Sequence, residues 1–311
     1  MRLRRLLAGA VGGLALTEAA DRALRARAGD LPAPLDGDQE TYRWRGFDVA
    51  YTEAGDPDRP DVVLLHGVHA AASSHEFEAV FDALAADYHV LAPDLPGFGL
   101  TDRPPVAYTS RLYESFVEAF LGDVADDPVV VGSSLSGAWA AAAAGPVDVE
   151  GLLLVAPTAD TGPRRPWLRS LFRTPVVGAG LFDALTSKPA LRWFDERDAF
   201  HDPSRVPHGF VDYQWRTAHQ ANARFAPASF VGGVLDPELD LGDELAARDC
   251  PVTLVWGRNA TVTPLAEGRE LAADADARLV VLDDTSLLPH VEQPESFLGA
   301  VREELPRLED H

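Results

Sequence analysis

One stretch constrains the fold more than any other: Val129-Val130-Val131-Gly132-Ser133-Ser134-Leu135-Ser136-Gly137-Ala138. A run of β-branched residues predicts a buried strand, and Ala138, Trp139 and the alanines Ala140 to Ala144 predict a helix. Only small residues lie between them. The chain must therefore turn sharply from strand to helix with Ser134 at the tip, standing above the sheet edge as a nucleophile would. Leu135 opens the helix, and its backbone N–H would face a developing oxyanion. The usual form of such a turn is G-x-S-x-G. Here Ser136 takes the place of the second glycine and Gly137 comes one step late, which the bend tolerates because serine is small.

The rest of the chain alternates in a way that fits this centre. Strands are expected at Tyr42 to Arg45, Phe47 to Thr52, Val62 to Leu65, His89 to Ala92, Pro128 to Val131, Val149 to Val155, Val252 to Trp256 and Arg278 to Leu282. Helices are expected from His75 to Ala85 after a Ser73 or Ser74 cap, from Ser110 to Val124, from Leu265 to Ala273 and from Pro294 to Leu305. Short apolar strands separated by helices mean a mostly parallel sheet of about eight strands, covered on both faces. Between 158 and 236 the pattern breaks: aromatic residues including Trp167, Phe172, Trp193, Phe194, Tyr213, Trp215 and Phe230 crowd a stretch with no parallel-strand run, which reads as a helical insertion. The expected organisation is an N-terminal amphipathic helix and linker over residues 1–40, a core over 41–157 and 237–311, and a helical cap over 158–236.

Charge excludes some partners. A net charge of −22 argues against nucleic acid, because phosphate repels an acidic surface. Lysine occurs once, at Lys188, and this acidic, lysine-poor composition suits a salt-rich cytosol of the halophilic kind, where screening blunts self-repulsion. The lone Cys250 rules out an internal disulfide and a thiolate zinc cluster, and neither a metal-ligand spacing nor a cofactor motif is present, so no metal and no cofactor are expected. Only the N-terminus is basic. Arg2, Arg4 and Arg5 precede the apolar run Leu6 to Leu16, which is too short to span a bilayer. An amphipathic helix ending near Gly29 has three readings: docking on its own protein, contact with a membrane surface, or a signal or anchor. The expected location is cytoplasmic, with membrane association if the second reading holds.

Four motifs in order give the chain its resemblance, from about Thr41 to Leu305, to the α/β-hydrolase superfamily, specifically its capped single-domain branch. Leu65-His66-Gly67 resembles the family's oxyanion loop, and the N–H of Val68 would be its second donor. Asp94-Leu95-Pro96-Gly97-Phe98-Gly99 with Asp102-Arg103-Pro104 resembles the loop after the fourth strand. The stretch Gly132 to Gly137 resembles the nucleophile elbow. Val255-Trp256-Gly257 and Pro289-His290-Val291-Glu292-Gln293-Pro294 resemble the segments that carry the acid and the base. The resemblance implies an α/β-hydrolase fold with a helical cap over the site, and a cofactor-free serine hydrolase of a small apolar ester or related molecule.

Two departures bear on that activity. Within W-G-x-x-D-x-x-x-P the acid position is Ala260, and within G-H-x-P-H-x-E the base position is Leu287. Neither can take the serine proton, and a serine hydroxyl is a weak nucleophile until a neighbouring base does so. In subtilisin, loss of the histidine costs roughly 10⁶ in turnover, with about 10³–10⁴ over water remaining from the oxyanion hole and binding. The stand-ins are His290 as base, Asp160 as acid and His69 as a base approaching from the oxyanion loop. His69, Ser133 and Tyr213 are the candidates to touch substrate. Two functions follow: a hydrolase with an atypical triad, or a non-catalytic binding protein that keeps the pocket.

Overall fold

The computed structural model describes residues 19–309, and the side chains of 19–305. Eight strands, β1 (Asp38–Trp44), β2 (Phe47–Ala54), β3 (Asp61–Leu65), β4 (His89–Pro93), β5 (Val129–Ser133), β6 (Gly151–Val155), β7 (Val252–Gly257) and β8 (Arg278–Leu282), form one sheet in the order β1-β2-β4-β3-β5-β6-β7-β8. β1 and β2 pair antiparallel, as do β2 and β4. Every other pairing is parallel.

The apolar runs make this sheet because side chains alternate between its faces. Val63, Leu65, Leu91 and Val130 point to one face, where Tyr113, Phe116 and Trp139 from the helices Ser110–Val124 and Leu135–Ala143 cover them. Val62, Leu64, Val90, Val129 and Val131 point to the other, against Phe77, Phe81, Leu84, Phe297 and Val301. Burial of this kind is worth roughly 1.5–3 kcal/mol per large side chain, and it fixes the register on which the loops at the strand ends depend.

Between β6 and β7 the chain leaves the sheet and builds a helical insertion, Pro166–Phe172, Val177–Leu185, Lys188–Phe194, a π turn at Asp195–Ala199, Phe210–Ala218 and Phe225–Val231, before Leu241–Ala246 returns to the main core through Leu241 and Leu245. Phe172, Phe182, Leu191 and Trp215 form the insertion's own small core. The described part of the N-terminal helix, residues 19–28, lies against that core. Ala28 is buried in it, the Gln220 amide donates to the Gly29 carbonyl at 3.0 Å, and the Arg27 guanidinium sits 5.9 Å from the Trp215 ring. This segment docks on its own protein. The basic residues Arg2, Arg4 and Arg5 and the run Leu6 to Leu16 lie outside the described residues. No described helix is long and apolar enough to cross a membrane.

Two elements differ from the sequence expectation. β1 begins at Asp38, inside the expected linker, because Gln39 to Trp44 pair with β2 along their whole length. The segment after the β3 loop starts as a 3₁₀ turn, Ser74–Phe77, and becomes α-helical only over Glu78–Ala85. Ser73 makes no side-chain cap there. Ser74 instead donates its N–H and hydroxyl to Asp94 at 2.7 and 2.9 Å, anchoring the β3 loop to the β4 loop.

Candidate functional site

Gly132, the last but one residue of β5, has no room for a side chain: a Cβ there would come within 2.9 Å of the Gly137 Cα. This contact closes the turn and forces Ser134 into the left-handed region, at φ 54°, ψ −123°. Such a backbone costs about 1–3 kcal/mol for a residue with a side chain and persists only where its surroundings hold it. Here the Ser134 N–H donates to the Val155 carbonyl at 2.9 Å, and its carbonyl accepts from Gly137 and Thr158. Ser136 does more than fill space. Its hydroxyl donates to the His66 carbonyl at 2.5 Å, clasping the strand-to-helix turn to the β3 loop. Leu135 is the first residue of its helix, so no carbonyl within the helix lies four residues back to accept its N–H.

The β3 loop is held equally firmly. His66 Nε2 accepts the Leu95 N–H at 3.1 Å, so its proton sits on Nδ1, which donates to the Gly67 carbonyl at 2.7 Å. The Gly67 N–H donates to Glu76 Oε2 at 3.0 Å, and Glu76 Oε1 faces His290 Nε2 at 3.0 Å. Burial works to raise the Glu76 carboxyl. The hydrogen bond and charge of His290, the Ser133 hydroxyl and His66 outweigh it and hold the group down at about 2.

Ser134, Ser133, Val68, His69, Glu76 and Asp160 line one cavity of about 590 Å³, together with Leu287 and Leu288 and, from the helical insertion, Phe194, Asp195 and Gln214. Among the described residues no side chain hydrogen-bonds the Ser134 hydroxyl. His290 does not fill that role: it is fully buried, paired with Glu76 and stacked 5.2 Å from Phe77, beneath the β3 loop. Asp160 reaches the cavity but is exposed, and its carboxylate accepts the Gly162 N–H rather than an imidazole. Tyr213 is placed elsewhere. It stacks on His75 at 3.9 Å, its hydroxyl donates to the Pro32 carbonyl, and it does not line the cavity.

His69 shares the cavity with Ser134, but its chemistry is that of a neutral ring. Burial pushes its imidazole down to about 4, Glu76 opposing and His66 adding to the effect. Its Nδ1 accepts the Ala71 N–H at 3.3 Å, which leaves the proton on Nε2. The positions that would carry acid and base in the family pattern lie together in a separate apolar cluster: Ala260 with Ala156, Trp256 and Leu265, and Leu287 packed against them. No group of three or more His, Cys, Asp or Glu side chains could hold a metal ion among the described residues.

A family model described as "Alpha/beta hydrolase family" matches residues 62–300, more than half of the chain. The chain belongs to the α/β-hydrolase family. It is 33% identical over 261 residues to a pimeloyl-[acyl-carrier protein] methyl ester esterase of Aromatoleum aromaticum, covering 76% of this chain and 94% of that one. Among solved structures, its fold resembles the 2-hydroxy-6-oxo-6-phenylhexa-2,4-dienoate hydrolase from Rhodococcus sp. strain RHA1, with a TM-score of 0.72, 22% identity and coverage of 86% of this chain and 98% of that one. It also resembles a membrane phospholipase A described as a bacterial virulence factor, with a TM-score of 0.69, 21% identity and coverage of 99% and 98%.

Two features of the site were missed by sequence reasoning. Glu76 sits inside an expected helix, where a carboxylate reads as surface; the signal was its place between buried neighbours, Ser74 to Phe77. Asp195 opens the charged run Asp195-Glu196-Arg197-Asp198, which reads as a solvated face. Nothing in the sequence separates it from the others.

Proposed function

We infer that this member of the α/β-hydrolase family is a small-molecule binding protein: the capped cavity and the frame around Ser134 are kept, and the proton relay of a serine hydrolase is gone. The observation that carries this reading is Leu287 at the cavity wall, packed with Ala260 into an apolar cluster where acid and base would stand. With no base at its hydroxyl, Ser134 stays protonated. The neutral His69 presents a donor, not an acceptor, from Nε2. The Val68 and Leu135 N–H groups would then hydrogen-bond a polar group of the ligand instead of a reacting oxyanion. The largely apolar wall formed by Phe194, Phe230, Leu287 and Leu288 suits a small ligand with an apolar body.

A second reading, favoured by the strained and cavity-facing Ser134, is a slow cofactor-free hydrolase of small esters. Fluorophosphonate labelling with Ser134→Ala as control, run beside an ester panel, separates the two. The binding reading expects labelling orders of magnitude slower than for a triad esterase, no multiple turnover, and thermal stabilisation by ligand. Rapid, Ser134-dependent turnover overturns it.

A further inference from the structure

The cavity lining includes polar groups that the fold leaves without partners. Asp195 is 2% exposed, Gln214 and Thr263 are each 5% exposed, and all three line the cavity. The Gln214 amide donates to Asp195 Oδ1 at 3.3 Å, which orients its oxygen away. Asp195 Oδ2, Gln214 Oε1 and Thr263 Oγ1 find no partner among the described residues. An unpaired buried polar atom costs about 1–3 kcal/mol, and three on side chains that line one cavity are expected where a ligand supplies the missing bonds. Two of the three are acceptors, so the missing groups are donors.

Charge narrows the ligand further. Glu76 and Asp195 lie within the cavity, and the exposed Asp160 and Glu267 stand at its rim. Among the described residues no lysine or arginine lines this cavity. Such a site repels carboxylates and phosphates and draws cations inward. Phe194 and Phe230 add aromatic rings of the kind that attract an ammonium.

We propose that Asp195, Gln214 and Thr263 together form the subsite for the protonated head of a small apolar amine, whose body lies along Phe194, Phe230 and Leu287. The proposal rests on the binding reading above and names its ligand class. Asp195 supplies the counter-charge. Burial raises its carboxyl to about 7, with Glu196 adding to the rise and Gln214 and Arg192 opposing it. An arriving ammonium therefore finds a carboxyl that ionises near neutrality. Of the other groups facing this space, Glu76 is held at about 2 and His69 at about 4, both outside the window from pH 6 to 8. On the packed helix Phe210–Ala218, the charged Asp212 and Arg216 are exposed, and Asp212 is paired with Lys188. Arg205 on the adjoining turn pairs with Asp202.

The test is titration calorimetry of the full chain with three probes sharing one apolar body: 2-phenylethylamine, 2-phenylethanol and phenylacetate. The amine should bind at least about tenfold more tightly than the alcohol at pH 8, and phenylacetate should give no binding heat. Amine affinity should fall about tenfold from pH 8 to pH 6 as Asp195 takes up its proton, while alcohol affinity stays level. Asp195→Asn should bring the amine down to the alcohol. The wild-type comparison stands even if that variant does not fold. Alcohol bound as tightly as amine, binding of phenylacetate, or no binding of the amine overturns the subsite. If the alcohol still binds, the binding reading survives that loss; Ser134-dependent ester turnover removes the binding reading itself.

Discussion

The two ends of the cavity have followed different rules. At the β5 end every group is placed for polar work: Ser134 is strained outward, Ser136 clasps His66, and Glu76 ties the Gly67 N–H to His290. At the β7–β8 end the corresponding loops are just as ordered, with Asn259 donating to the Thr285 carbonyl and Trp256 to the Thr263 carbonyl, yet their tips present Ala260 and Leu287. The scaffold of a loop and the chemistry at its tip are separable. Backbone bonds hold the loop, so an apolar tip costs the fold nothing and removes only the proton acceptor.

The sharpest way to break this contrast is to restore polar groups at the apolar β7–β8 end. Leu287→His with Ala260→Asp should raise kcat/KM on short p-nitrophenyl esters by about 10²–10⁴-fold if only the relay is missing; an unchanged rate would show that the loops themselves have moved out of reach. At the other end, Glu76→Ala leaves His290 buried without its partner. It should cost about 3–5 kcal/mol in urea unfolding, against little for Leu287→Ala, whose side chain is half exposed to the cavity.

The pH dependence follows from the same pair. The Glu76 carboxyl is held below its unfolded value of 4.5, so its contribution is fully present above that pH and is lost as pH falls toward 2. Stability should drop by about 3 kcal/mol across this window, and Glu76→Gln should flatten that part of the curve. A flat wild-type curve would mean that Glu76 is not ionised in the folded protein. Ala28→Asp should cost about 1–2 kcal/mol and expose residues 19–29 to proteolysis, leaving both ends of the cavity intact. The smallest expected effect concerns the basic N-terminus: we propose a weak membrane-surface contact, so removing residues 1–18 should reduce flotation with anionic liposomes without changing ligand binding.

Much of this contrast was legible in the residues. Runs such as Val62 to Leu65 and Val129 to Val131 read as buried parallel strands because nothing else accommodates so many β-branched side chains between turns, and Ala260 and Leu287 stood out against the motif around them. The buried carboxylates were not legible. Glu76 and Asp195 are ordinary surface letters in sequence, and only tertiary packing, the β3 loop folding over one and the π turn drawing in the other, takes them out of water. Tyr213 misled for the opposite reason: an aromatic in the insertion read as cavity wall, whereas stacking on His75 and the bond to Pro32 turn it toward the N-terminal linker.

The Ala199 carbonyl accepts both the Leu287 and the Leu288 N–H, and Glu292 receives the N–H groups of Asp202 and Ser286. Three of these bonds rivet the insertion to the loop that bears Leu287, and the fourth, from Ser286 to Glu292, braces that loop itself, so the two are tied as one door leaf. Loosening the insertion would therefore disturb the cavity wall at Leu287 as well.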